Sequence, residues 1–112
     1  MGTLFYGDAR LAIPVDDRAL AHLKVIFVNK LRRGESFTYS WVKSPAEGHG
    51  RSTVWVSPEI ALQFDFEGSK APALNRRWLE ELSQLASSGA GLSLTDEPVE
   101  PDPATGSIPV VS

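Results

Sequence analysis

The sequence has no cysteine, which excludes disulfide staples and thiolate zinc sites. A reducing cytoplasm is the compartment that fits this composition. Histidine is scarce, with two in 112 residues, so there is little material for acid–base or metal chemistry. Long apolar runs are missing as well. The strongest is Val25-Ile26-Phe27-Val28, against about 20 residues for a helix that spans a bilayer. No basic stretch followed by an apolar one marks a signal peptide, and Tyr6 breaks the myristoylation pattern after Gly2. A large charge of one sign is also absent from residues 1–95, which carry all 11 basic residues against 10 of the 14 acidic ones. Such a body lacks the positive field on which non-specific phosphate binding depends.

What is present is a globular mixture, 42% hydrophobic and 22% charged, in a length that suits one domain. Residues 96–112 differ from the rest. They hold Asp96, Glu97, Glu100 and Asp102 with no base, four of the eight prolines and no aromatic residue. This predicts a domain over 1–95 followed by an acidic, Pro-rich, disordered tail. Within that tail Ile108-Pro109-Val110-Val111 is apolar enough to dock on a surface or to add a strand.

Along the body, β-prone residues 3–6 and 9–13 flank Gly7-Asp8, a two-residue hairpin signal, and Pro14 ends the second strand. Asp16 is an N-cap, with Val15 and Leu20 placed as a staple. Ala19, Leu20, Leu23, Ile26, Phe27 and Leu31 then share one helical face. Arg18, His22, Asn29 and Arg33 fall on a polar stripe, which predicts a surface histidine. Arg32 and Arg33 suit the dipole at the helix C-terminus, and Gly34 supplies the left-handed residue after it. The helix is therefore placed at 17–33.

Residues 36–66 alternate in three stretches: Phe37, Tyr39 and Trp41; Val54 and Val56 around Trp55; and Ile60, Leu62, Phe64 and Phe66. They read as a three-stranded antiparallel meander whose aromatic ladder faces the core. Asn75 caps a second helix with Leu74, Trp78, Leu79, Leu82, Leu85 and Ala86 on one face. Leu92-Ser93-Leu94 offers a short last strand. The fold class is α+β, an antiparallel sheet with two amphipathic helices on one face, in the order β-β-α-β-β-β-α(-β).

Catalytic motifs are lacking. No Gly-rich phosphate loop, nucleophile elbow or His-Glu-x-x-His pattern occurs, so no catalytic, cofactor or metal residue is assigned. Glu47 and His49 supply only two potential ligands in a loop. Two other sets of residues stand out. Ala21, Val25 and Val28 form a second apolar stripe on the first helix, away from its core face, and with Trp55 they make a candidate interface for a homodimer or a protein partner. Lys30, Arg32, Arg33, Arg51, Arg76 and Arg77 make a candidate nucleic-acid surface, provided that they converge. Arg76 and Arg77 open a helix, where the dipole disfavours cations, so Glu80 and Glu81 at i+4 are their expected partners.

Several stretches carry a family resemblance. Met1-Gly-Thr-Leu-Phe-Tyr-Gly, Val15-Asp-Asp-Arg-Ala-Leu-Ala-His-Leu-Lys-Val, Lys30-Leu-Arg-Arg-Gly-Glu-Ser-Phe, Ser40-Trp, Gly50-Arg-Ser-Thr-Val-Trp and Pro72-Ala-Leu-Asn-Arg-Arg-Trp resemble a group of small uncharacterised actinobacterial proteins of about this length. The resemblance covers residues 1–97. Some members carry the label ATP-dependent DNA ligase, which implies a lysyl-adenylate formed at Lys-x-Asp-Gly. The lysines here read Lys24-Val-Ile-Phe, Lys30-Leu-Arg-Arg, Lys43-Ser-Pro-Ala and Lys70-Ala-Pro-Ala, and none fits that motif. The leading expectation is a cytoplasmic, non-enzymatic module that binds a protein or itself. The alternative is a nucleic-acid-binding protein or an accessory factor related to DNA ligases.

Overall fold

The structure, a computed structural model, describes residues 1–99. It is α+β, with two helices, six strands and two small sheets in the expected order. The strands are β1 (Gly2–Tyr6), β2 (Leu11–Val15), β3 (Phe37–Val42), β4 (Arg51–Val56), β5 (Leu62–Asp65) and β6 (Leu92–Ser93). Helix α1 (Asp17–Arg32) follows β2, and α2 (Arg76–Ala86) follows β5. One 3-10 turn, Pro45–Glu47, sits in the β3–β4 loop.

The expected single sheet is divided in two. The first sheet has the order β2-β1-β5, and its pairs are antiparallel. The second has the order β4-β3-β6, with β3 antiparallel to β4 and parallel to β6. The meander over 36–66 is thus corrected. Its first two strands form a hairpin, but the third crosses to β1, where Leu4 faces Phe64 and Tyr6 faces Leu62. Local alternation reports which side of a strand is buried and says nothing about which strand it pairs with.

Two smaller corrections concern β1 and β2. Tyr6 pairs with Leu11, so the turn takes four residues, Gly7 to Arg10, rather than two. Gly7 and Arg10 both hold positive φ there, 75° and 56°. The Arg10 guanidinium lies over the Phe5 ring at 4.3 Å and donates to Gln63 Oε1 at 2.8 Å, which ties the turn to β5. Pro14 lies inside β2, opposite Thr3, instead of ending it. An edge strand tolerates this because one side of its backbone needs no ladder partner.

Helix α1 joins the two sheets. Its start is fixed by Asp16, whose carboxylate accepts from the Arg18 and Ala19 N–H groups at 3.1 and 3.3 Å. Its end is Arg33, followed by Gly34 at φ 73°, the left-handed residue that the sequence leads one to expect. Between them the fully buried Phe27 ring meets Phe37 at 5.0 Å, Tyr39 at 5.7 Å and Phe64 at 5.7 Å, all edge-on. Phe37 and Tyr39 belong to the second sheet and Phe64 to the first, so one side chain holds both sheets against the helix. Edge-to-face contacts of this kind add about 0.5–1.5 kcal/mol each beyond area burial. The aromatic ladder is accordingly core, with Phe37 and Tyr39 buried and Trp41 packed against them.

Helix α2 lies beside α1 and runs in the same direction. His22 of α1 touches Asn75 at the start of α2, and Lys30 near the end of α1 touches Ser87 at the end of α2. Trp78, Leu82 and Ala86 form the buried face of α2. No helix among the described residues is long and apolar enough to cross a membrane.

Candidate functional site

The outer side of α1 carries the second apolar stripe, and the chain covers it only in part. The connector from Phe66 to Leu74 passes beside the N-terminal half of the helix. Asp17 holds it there by accepting from the Glu67 and Gly68 N–H groups at 3.1 and 2.8 Å. These two bonds keep the Asp17 carboxyl below its ordinary range, since both favour the charged form. Between helix and connector lies a hollow of about 600 Å³, a size typical of small ligand sites. Its walls are mostly apolar: Ala21 and Val25 from α1, and Phe66, Ala71, Pro72 and Leu74 from the connector. Lys24 and Lys70 stand at its rim. Lys24 lies 5.9 Å from the Phe66 ring centre, within cation–π reach. Val25 continues from this hollow into a shallower groove between α1 and α2, shared with Ile26, Leu79 and Ser83.

Arg18, which lines the hollow, also belongs to a network of polar side chains that ties the two helices to residues 95–98. Sequence reasoning missed it. His22 is fully buried rather than on the surface. Its Nδ1 faces the Arg18 carbonyl at 2.7 Å, and its Nε2 faces the Asn75 N–H at 2.8 Å. A carbonyl only accepts and an amide N–H only donates, so these partners select the tautomer protonated at Nδ1. The ring packs on Trp78 at 4.6 Å. Asn75 caps α2 by accepting from the Trp78 N–H, while its Nδ2 donates to Glu97 Oε2 at 2.9 Å and to the Pro98 carbonyl at 2.8 Å. Arg18 grips the same carboxylate with two bonds, 2.7 and 2.8 Å, and donates to the Ala73 carbonyl at 2.9 Å. This fork is the strong form of an ion pair. It holds the Glu97 carboxyl down at about 2, with Arg18 the main cause and Asn75 the next. Trp78 Nε1 donates to Thr95 Oγ1 at 3.2 Å. Residues 96–98 are therefore fastened to the body. Residues 100–112 lie outside the described residues, and with them the expectations of a disordered tail and of docking by Ile108–Val111.

A sequence signal for His22 did exist. His22, Ile26 and Lys30 follow one another at four-residue spacing, directly beside the core row Ala19, Leu23 and Phe27. Such flanking positions are covered whenever a second helix packs alongside.

The candidate interface residues fall into two groups. Ala21 and Val25 line the hollow, and Val28 is 37% exposed farther along the same face. Trp55 is 58% exposed on β4, at the edge of the second sheet, and lines neither the hollow nor the groove between the helices. Its backbone carbonyl accepts from the Tyr6 hydroxyl.

The candidate nucleic-acid residues are spread out. Lys30 is buried and donates to Glu35 Oε1 and Ser87 Oγ, both at 3.0 Å. Arg33 pairs with the same carboxylate group at 3.2 Å. Arg32 is exposed at that end of α1, and Arg51 is exposed at the start of β4. Arg76 and Arg77 lie at the other end of the helix pair, one α2 length away, which is roughly 16 Å. Arg77 meets Glu81 at 3.9 Å, the expected i+4 partner. His49 is exposed at φ 65° in the β3–β4 loop. Among the described residues no group of three or more acidic or histidine side chains is placed to hold a metal ion.

These features define a small α+β domain with an apolar hollow on one helix, and the comparisons place that domain in a family. The chain belongs to the family described as a domain of unknown function, DUF7882, whose model matches residues 1–97. The match ends at Glu97, so the whole polar network except Pro98 lies inside it. No curated protein and no solved structure matches the chain.

Proposed function

We propose that this chain is a non-enzymatic binding module that takes a segment of a protein partner into the hollow beside α1. One observation supports the reading above others: Ala21 and Val25 wall an apolar concavity that the chain's own connector frames without filling. Burying such a surface is favourable by roughly 25 cal/mol per Å², and a preformed concavity spares part of the ordering cost. The rim charge selects the partner. Asp16 and Asp17 are occupied by backbone N–H groups, and Arg18 by Glu97. Lys24 and Lys70 enter no ion pair among the described residues. The fitting segment is therefore apolar with an acidic residue beside it.

Anilinonaphthalene sulfonate, an apolar ring system bearing one anionic group, is a suitable probe. Titrated into the isotope-labelled chain, it should shift the amide signals of Ala21, Val25 and residues 68–71, and Val25→Glu should remove that response. Shifts spread evenly over the molecule, or confined to the second sheet, would overturn the proposal.

A second reading has its own observation. Trp55 is exposed on the edge strand β4, and a large aromatic side chain at a sheet edge suits self-association. Sedimentation velocity from micromolar to millimolar concentration should then show a dimer that Trp55→Ser dissociates. A monomer throughout would remove this reading.

A further inference from the structure

We propose that the resident occupant of the hollow beside α1 is this chain's own segment Ile108-Pro109-Val110-Val111, which folds back and competes there with an outside partner. The inference rests on reading the hollow as a binding site. It adds the identity of one ligand.

Four observations converge on this segment. The first is where the described chain ends. Glu97 is clamped by Arg18, and the Pro98 carbonyl by Asn75. Arg18 and Leu74, the neighbour of Asn75, both line the hollow. The chain therefore leaves the body at the margin of the concavity and not on a distant face. The second is reach. Eight residues lie between Val99 and Ile108, and an extended chain covers at most about 3.5 Å per residue step, so a span of roughly 30 Å is available. A tether this short gives an effective concentration in the millimolar range, at which even a weak contact is populated.

The third observation is charge. Glu100 and Asp102 are the only charged residues in 100–112. In the sequence they come three and five positions after Glu97, whose partner Arg18 lines the hollow together with Lys24 and Lys70. The fourth is the match of apolar surfaces. Ile108, Val110 and Val111 are the bulky apolar residues of that stretch, and Ala21, Val25, Phe66 and Leu74 are the unfilled apolar wall. Pro109 fixes its own φ, which lowers the entropy lost when the segment is ordered.

The absence of cysteine makes the test direct. Ser112→Cys introduces a single thiol that takes a nitroxide spin label on the full chain. With isotope-labelled protein, the label should broaden the amide signals of Ala21, Val25 and residues 68–71 several-fold more than those of Arg51 to Trp55. Charge reversal at two exposed rim positions, Lys24→Glu with Lys70→Glu, should cut that broadening at least by half without unfolding the chain. Val25→Glu should act likewise, and the amide spectrum of each variant reports whether it is folded.

Two outcomes overturn the proposal. One is broadening that is absent from the hollow or evenly spread. The other is broadening that persists when the spin label and the isotope sit on different molecules in a mixture, because a second copy then supplies the segment. If the hollow amides respond to the naphthalene sulfonate probe while the spin label leaves them sharp, the self-docking inference fails and the binding hollow stands. If neither responds, both fall.

Discussion

His22 is where a single substitution tests the described packing most sharply. His22→Phe keeps a ring of similar shape against Trp78, 4.6 Å away, but cannot accept from the Asn75 N–H or donate to the Arg18 carbonyl. Asn75 is 2% exposed, so its N–H is left buried without a partner, at a cost of about 1–3 kcal/mol. The Arg18 carbonyl keeps its bond within the helix and loses only a second donor, a further ~0.5–1 kcal/mol. The additional apolar area of the phenyl ring returns about 1 kcal/mol. The net expectation is a loss of about 2 kcal/mol, on the order of 10 °C in Tm for a chain of this size. Urea denaturation should show a lower midpoint with an unchanged slope, and the Asn75 amide should exchange faster with solvent. His22→Ala should be worse than His22→Phe, since it adds a cavity. A His22→Phe variant as stable as the parent, with the Asn75 amide still protected, would refute a buried histidine that joins the two helices.

Other outcomes follow from the same structure. Burial pushes the Tyr39 hydroxyl up to about 12 from an ordinary 10.0; the folded state holds this proton more tightly, so stability is complete below pH 10 and falls as pH rises from there toward 12. Tyr39→Phe should remove that part of the alkaline loss in a series of urea midpoints against pH. Glu97 behaves in the opposite sense, its carboxyl drawn down to about 2 from 4.5 chiefly by Arg18. Its contribution is complete above pH 4.5 and is lost as pH falls toward 2, so Glu97→Gln should flatten the acid limb and free residues 95–98 to exchange faster. Gly91→Ala meets two penalties: φ is +83°, and the added carbon would come within 2.0 Å of Thr38 Oγ1. Together these should cost roughly 2–5 kcal/mol. Thr38→Ala should restore only the steric share, a split that denaturation of the double variant can measure.

Local signals in the sequence found what is decided locally. Asp16, Asn75 and Gly34 mark helix ends because capping depends on residues within one turn, and both side-chain caps are present with the predicted acceptors. The α+β class, the element order and the buried aromatics of β3 were also legible, since periodicity of 3.6 or 2 reports which face meets the core. The failures share a long-range cause. β5 leaves its neighbour β4 for β1, some 60 residues earlier in the chain, and no local pattern names a strand's partner. His22 is hidden by Trp78 and Asn75, more than 50 positions away. The hollow needs the connector as its second wall, and only the Asp17 bonds to Glu67 and Gly68 bring that wall into place. Ala21 and Val25 were recognisable as spare apolar surface, whereas the concavity they line was not.

Helix α1 explains why that surface persists. Leu20, Leu23 and Phe27 serve the two sheets, while His22, Ile26 and Lys30 serve α2. At 100° per residue these six positions span roughly 160° of the helix circumference. The remaining side faces outward, and a helix with solvent there ordinarily carries charged or polar residues. Here it carries Ala21, Val25 and Val28, although Lys24 shows that the same side accepts a charge. A polar residue at Val25 would forgo only part of a side chain's burial, about 1 kcal/mol, so stability alone exerts weak pressure for an apolar residue. The connector could have covered the stripe by lying flat on it. It is instead held off by the Asp17 anchor at one end and by the Arg18 bond to Ala73 at the other. The segment bridges these two points over an apolar floor, and the geometry of that bridge is what makes the hollow a place for something to bind.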